Sequence, residues 1–257
     1  DTQIASLGTT QLGAFTDDQL GAFLPTQWAQ LTSKQFGGMS SSWIAGLSGE
    51  RIASFGSDGM RTMSTAQVAA LTIDQVPWLT SNQLAVFSSA QLRVMSTAEL
   101  AAIEPAALAA LSTAAIRGLS AAQIAGIDAG QWYVMRSDQI AALSTAQIAA
   151  LPTDDLTALG TMHFLALGSQ QVAALKADQL AAMEIEDLRA LRPAALRGLA
   201  PASLAALNDE QLQAFASEQI SNLNSTQLLA LDSRQLPIFI GEDLAALSTS
   251  MLRVIDG

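Results

Sequence analysis

The sequence predicts an all-α solenoid, a superhelix of short capped helices with one helix per eight-residue repeat. Three observations predict it. Two apolar columns recur every eight residues, without insertion or deletion, from Ile4 to Ile255. Helix-capping residues recur with the same period. Most prolines fall where a helix would restart.

Let row n hold residues 8n to 8n+7, so that row 18 is residues 144–151, Ser-Thr-Ala-Gln-Ile-Ala-Ala-Leu. Position five is apolar in all 32 rows, from Ile4, Leu12 and Leu20 to Leu244 and Leu252. Position eight is also apolar in all 32, from Leu7, Phe15 and Phe23 to Leu247 and Ile255. Position four is Gln in 19 rows and Glu99 in one more, and position seven is Ala, Gly or Ser in 23. Columns held this long are under structural constraint.

One continuous helix cannot satisfy them. At about 100° per residue, eight residues turn about 800°, so the apolar pair would drift by about 80° per row. The ends of each row resolve the conflict. Position one is Ser, Thr, Asp or Asn in 18 rows and Gly in four, residues whose extended backbone starts a helix. Position four then supplies the Gln or Glu of a capping box, as in Ser64/Gln67, Ser88/Gln91, Ser96/Glu99 and Thr80/Gln83. The apolar residue before the cap can meet position five as a hydrophobic staple. Acidic residues gather at position three, among them Asp18, Glu50, Asp138, Glu218 and Glu242, facing the positive end of the helix dipole.

Pro25, Pro105, Pro193 and Pro201 stand at position two, the first helical residue, where a missing N–H costs nothing. Pro152 stands at the cap itself; Pro77 and Pro237 stand at position six and are expected to distort their rows. Each row therefore reads as a helix of about six residues, roughly 9 Å long. Such a helix is too short to be stable alone and depends on its neighbours. Small residues at position seven let helices approach to about 8 Å. Positions two, three and six form the solvent face, which suits Arg61, Arg93, Arg117, Arg189, Arg197 and Arg253 at position six. A β-solenoid also uses short repeats, but apolar spacings of three and five with Ala, Leu and Gln dominant favour helices. Handedness and rows per turn stay open. Two to four rows per turn would give roughly eight to sixteen turns and an elongated monomer about 80–160 Å long. Residues 1–257 are expected to form one such array, a piece of a longer chain, because residue 1 already lies inside a repeat.

Composition narrows the function classes. Half the residues are hydrophobic, which supports a core, while 5% are aromatic and 14% charged. A net charge of −11 opposes general nucleic-acid binding, and Arg189, Arg192 and Arg197 read as a solvated face. With no cysteine there is no disulfide, thiol catalyst or cysteine-bound zinc. Asp1-Thr2-Gln3-Ile4 is not a signal peptide. Residues 156–175 carry no formal charge but contain Thr157, Thr161, His163, Ser169, Gln170 and Gln171, so no membrane insertion is expected.

No motif for chemistry emerges. His163, the one histidine, replaces a position-four Gln and reads as a tolerated substitution, not a metal ligand. Carboxylates recur as helix-start residues rather than as a catalytic pair. Gly56-Ser57-Asp58-Gly59 lacks phosphate-loop spacing and a following Lys. No catalytic, cofactor-binding or metal residue is assigned, and the chain is expected not to be an enzyme. The aromatics are the better clue. Trp28 and Trp132 occupy position five and belong in the core. Trp43 at position four, Trp78 at position seven and Tyr133 at position six are off-pattern and are the candidate partner-binding residues.

The rows Leu143-Ser144-Thr145-Ala146-Gln147-Ile148-Ala149-Ala150-Leu151 and Met63-Ser64-Thr65-Ala66-Gln67-Val68-Ala69-Ala70-Leu71 resemble tracts of very large secreted bacterial exoproteins. Those are of the haem-utilisation or adhesion type, some with repeats-in-toxin segments. The resemblance covers the whole chain as a low-complexity likeness. It implies a secreted or cell-surface location and a structural or adhesive role. The alternative is a partner-binding solenoid of a secreted effector that grips a host or self protein. The glycine-rich calcium repeats of such proteins are missing, so calcium is not carried over. Haem gains no support from a chain with no Cys and one His.

Overall fold

The computed structural model describes residues 2–16, 19, 22–239, 245, 247–249 and 252. Leu20, Leu244, Ile255, Asp18, Glu242 and Arg253 lie outside these. The described residues form α-helices of four to six residues, two short 3₁₀ turns and no strand. The fold is the expected all-helical repeat solenoid.

Row 8 shows how the octad works. Ser64 is extended at φ −67°, ψ 159°, and helix Thr65–Val68 follows at once. The helix closes with Ala69 N–H on Thr65 O at 2.9 Å, then tightens to three-residue spacing, with Leu71 N–H on Val68 O at 3.1 Å. No described residue has a positive φ, so these helices end without a left-handed glycine. The break comes instead from an extended backbone at positions eight and one, as at Phe55 and Ser64.

Pro77 and Pro237 distort their rows as expected. Neither can give the position-six N–H that Ala69 gives in row 8. Their rows collapse to the 3₁₀ turns Val76–Trp78 and Leu236–Ile238.

Position five is the innermost column: Ile52, Leu84, Leu92, Leu100 and Leu108 are wholly buried. Position eight closes beside it, with Leu71, Leu79 and Phe87 almost as deep. Trp28 and Trp132 lie in the core as expected.

The chain forms two compact units, Asp1–Met135 and Arg136–Gly257. Within each, a helix packs on the helix three rows later: Ser33–Gly37 on Ser57–Thr62, and Thr161–Ala166 on Ile185–Ala190. Position seven of the later row sits on position two of the earlier one. A Cβ on Gly118 would lie 2.3 Å from Ser89 Cβ, and one on Gly198 would lie 2.0 Å from Ser169 O. This is why position seven stays small. Side chains at position four, meanwhile, reach four rows back. The superhelical turn therefore lies between three and four rows, which the octad alone does not reveal.

Candidate functional site: a glutamine column and its gaps

Position four holds the clearest polar construction in the molecule. The Gln67 Oε1 accepts the Ser64 N–H at 2.7 Å, and Ser64 Oγ accepts the Gln67 N–H at 3.2 Å, which is the expected capping box. The same Gln does a second thing. Its Nε2 donates to Phe36 O at 2.7 Å and Met39 O at 2.9 Å, 31 and 28 residues upstream. Gln83 does so to Ile52 O and Phe55 O, and Gln219 to Leu188 O and Leu191 O. The three hydrogen bonds satisfy one acceptor and both donors of a buried carboxamide. At about 1 kcal/mol net per bond, each clamp ties a helix start to the turn beneath it.

The cap residue itself matters less. Gly168, Arg136, Lys176 and Ala216 stand at position one with no capping side chain, yet each gives its backbone N–H to a Gln Oε1. His163 performs the acceptor half of this task, its Nδ1 taking the Gly160 N–H at 3.0 Å. That explains the substitution and puts the neutral ring's proton on Nε2.

Among the described residues the column has gaps, at Trp43, Arg51 and Gly59; at Glu99, Ala107 and Ala115; at Asp155 and His163; and at Asp187, Ala195 and Ser203. Glu99 caps Ser96 N–H at 2.6 Å but has no amide to donate upstream, and it turns half outward. Opposite Ala195, Leu167 O is taken instead by Arg192 Nη2 at 3.1 Å. Arg189 turns the other way, its Nε donating to Ala214 O at 3.1 Å. The two arginines thus brace different neighbours rather than converge on one ligand.

Asp187 is the most unusual gap residue. It is 5% exposed, and its carboxyl makes no hydrogen bond or ion pair among the described residues. Burial pushes its pKa up to about 6, and the nearby Glu184 and Glu186 charges add to the shift.

Clefts open at gaps. One of about 160 Å³ is walled by Trp43, Leu12, Met39, Thr9 and Ser40. Another of about 170 Å³ lies among Ser169, Arg192, Ala194 and Ala195. Trp43 is half-buried and packs its ring 5.5 Å from that of Trp28. Trp78 is 47% exposed and its indole lies over Gly49, where a Cβ would meet it at 2.0 Å. Tyr133 is 73% exposed beside the buried Trp132. No ring contact joins Trp43, Trp78 and Tyr133.

Sequence reasoning missed the upward half of the clamp. The signal was there: a capping box accepts Glu as readily as Gln. A column with 19 Gln and one Glu therefore calls for a donor as well as an acceptor.

This geometry defines an octad-repeat α-solenoid whose turns are tied by side-chain amides to backbone carbonyls. Three stretches, residues 100–132, 148–184 and 180–217, match the family model described as the ALTTAQ repeat. Read as six residues, that description spans positions seven and eight of one row and one to four of the next, as Ala174-Leu175-Lys176-Ala177-Asp178-Gln179 does. No curated protein matches the chain. No helix among the described residues is long and apolar enough to cross a membrane.

Proposed function

We propose that the chain is a non-catalytic structural or adhesive spacer of a secreted bacterial surface protein. The observation that carries this reading is the glutamine clamp. It recurs in the glutamine rows with acceptors at the same register upstream, so each such row repeats one increment of structure. The abundant polar side chains are used in that construction: Ser, Thr, Asp and Asn as caps, Gln as clamps. Such an array sets a distance between whatever stands at its ends. Small-angle scattering on the purified chain tests it. An elongated, concentration-independent monomer is expected; a compact particle would refute the spacer.

A second reading, a partner-binding solenoid of a secreted effector, is favoured by one observation. Tyr133 and Trp78 hold large aromatic surfaces out of the fold, and Trp43 walls a cleft. Aromatic residues of this kind anchor protein interfaces. Pull-down with the native chain and with Trp43→Ala, Trp78→Ala and Tyr133→Ala separates the two. Loss of a captured partner in any of these variants would favour the effector; capture unaffected by all three would favour the spacer.

A further inference from the structure

The gaps in the glutamine column are grouped. Rows 5–7 (Trp43, Arg51, Gly59), rows 12–14 (Glu99, Ala107, Ala115) and rows 23–25 (Asp187, Ala195, Ser203) each lack three clamps in succession. The next row brings a clamp back: Gln67 onto Phe36 O and Met39 O, Gln123 onto Leu92 O and Met95 O, Gln211 onto Ala181 O and Met183 O. A fully clamped turn differs. Gln67, Gln75, Gln83 and Gln91 tie rows 8–11 to rows 4–7. Gln211, Gln219, Gln227 and Gln235 tie rows 26–29 to rows 22–25. At a three-row gap, one glutamine stands where such a turn has four.

The gap residues cannot replace the missing amides. Ala107, Ala115 and Ala195 have no donor, and Glu99 spends its carboxylate on Ser96 N–H. Further hydrogen bonds across these seams come from exposed positions: Thr62 Oγ1 to Ser33 O at 3.4 Å, Ser81 Oγ to Ala106 O at 3.3 Å, Arg93 Nε to Gly118 O at 3.3 Å and Arg192 Nη2 to Leu167 O at 3.1 Å. Both clefts lie on such seams. One is walled by Trp43 of row 5 and Leu12 of row 1, the other by Arg192 and Ala195 of row 24 and Ser169 of row 21.

We propose that each three-row gap is a yielding joint, a seam held by a single buried clamp that opens before the fully clamped turns do. A row is too short to stay helical once it parts from a neighbour, so opening at a seam unprotects the rows that face it. In a spacer such a joint gives way under load while the clamped blocks hold. That use rests on the spacer reading; the joint itself does not.

Burial does not separate the rows to be compared. Leu84, Leu92 and Leu100 occupy position five of three successive rows and are all wholly buried. Their amides donate to Thr80 O, Ser88 O and Ser96 O at 3.0, 3.1 and 3.1 Å. Row 10 is clamped upstream by Gln83, row 12 downstream by Gln131, and row 11 on both sides by Gln91 and Gln123. Val172, Leu180 and Leu188 repeat the arrangement in unit 2, through Gln171, then Gln179 and Gln211, then Gln219.

Amide hydrogen exchange on the whole chain, corrected for intrinsic rates, reads the opening of each row. The Leu84 and Leu100 amides are expected to open about tenfold more often than that of Leu92, and Val172 and Leu188 about tenfold more often than Leu180. Gln123→Met removes the bridging clamp and should raise opening at Leu84 and Leu100 about tenfold further. Gln75→Met, which removes one clamp of four, should change both by less than about threefold. Glu99→Gln adds a clamp to the same seam and should slow Leu100 about fivefold, a test that stands even where Gln123→Met fails to fold. Uniform opening across each trio, equal effects of Gln123→Met and Gln75→Met, or no slowing in Glu99→Gln would overturn the joints. A compact particle in scattering would instead refute the spacer and leave the joints standing.

Discussion

Gln131 and Ile103 are 28 residues apart in sequence and are joined by a 2.7 Å hydrogen bond from the glutamine Nε2 to the isoleucine carbonyl. A second bond from the same nitrogen reaches Leu100 O at 2.9 Å. Gln131 is wholly buried, so neither carbonyl can turn to water if the amide is removed. Gln131→Met keeps the length and deletes the donors. It is expected to cost about 2–4 kcal/mol, read by chemical denaturation.

Glu99 provides the reverse experiment. It already caps Ser96 but lacks the amide that would reach Val68 O and Leu71 O at the register of its neighbours. Glu99→Gln should therefore stabilise unit 1 by about 1 kcal/mol. A denaturation midpoint shifted downward would mean that the seam at this gap cannot close.

Position seven can be probed with two glycines. Gly198→Ala puts a methyl group 2.0 Å from Ser169 O, a backbone atom that cannot swing aside. A loss of about 1–3 kcal/mol is expected. Gly160 has nothing within 4 Å of a new Cβ and an extended backbone, so Gly160→Ala should fall within about 0.5 kcal/mol of the native chain. Thermal unfolding of the pair checks both.

Trp132 and Tyr133 are adjacent and opposite in exposure. The Trp132 indole N–H is buried with no acceptor among the described residues, so its contribution is packing. Trp132→Ala should cost about 3–5 kcal/mol. Tyr133→Ala should change stability by less than about 0.5 kcal/mol, which makes it a clean variant for binding experiments.

The pKa of Asp232 is shifted in the opposite direction to that of Asp187. Its carboxylate accepts the backbone N–H groups of Arg234 at 2.8 Å and Gln235 at 2.9 Å, and these hold its pKa below the ordinary value. Its contribution is present above the ordinary carboxylate range and is lost as pH falls through the lowered value. Hydrogen exchange at the Gln235 amide should quicken, relative to the intrinsic rate, over that interval. In Asp232→Ala it should be fast throughout.

Much of the fold was legible because it is local. The capping box of Ser64 with Gln67 and the start of a helix at Pro105 are each settled within one row. Pro77 announced its own distortion because the N–H it lacks is a local donor. The rows per turn were not legible. They depend on how Gly118 meets Ser89 and how Gln123 finds Leu92 O and Met95 O, distances along the chain that an eight-residue period does not encode. The candidate site was legible in part. Position alone marked Tyr133 as exposed, but not that Trp43 would wall a cleft, because the cleft is made with Thr9 and Leu12 from far upstream. Sequence reading did not single out Asp187, because its burial is a property of the column around it.

The clamp joins a side chain to a main chain. Gln83 recognises the carbonyls of Ile52 and Phe55 by position, and any residue there would present the same oxygen atoms. Turns stacked in this way do not have to coevolve with their neighbours. A stretch of coding sequence duplicated or lost in multiples of one octad leaves compatible surfaces on both sides of the junction. Length can then change by whole octads without a compensating mutation in the clamp, while the architecture stays the same.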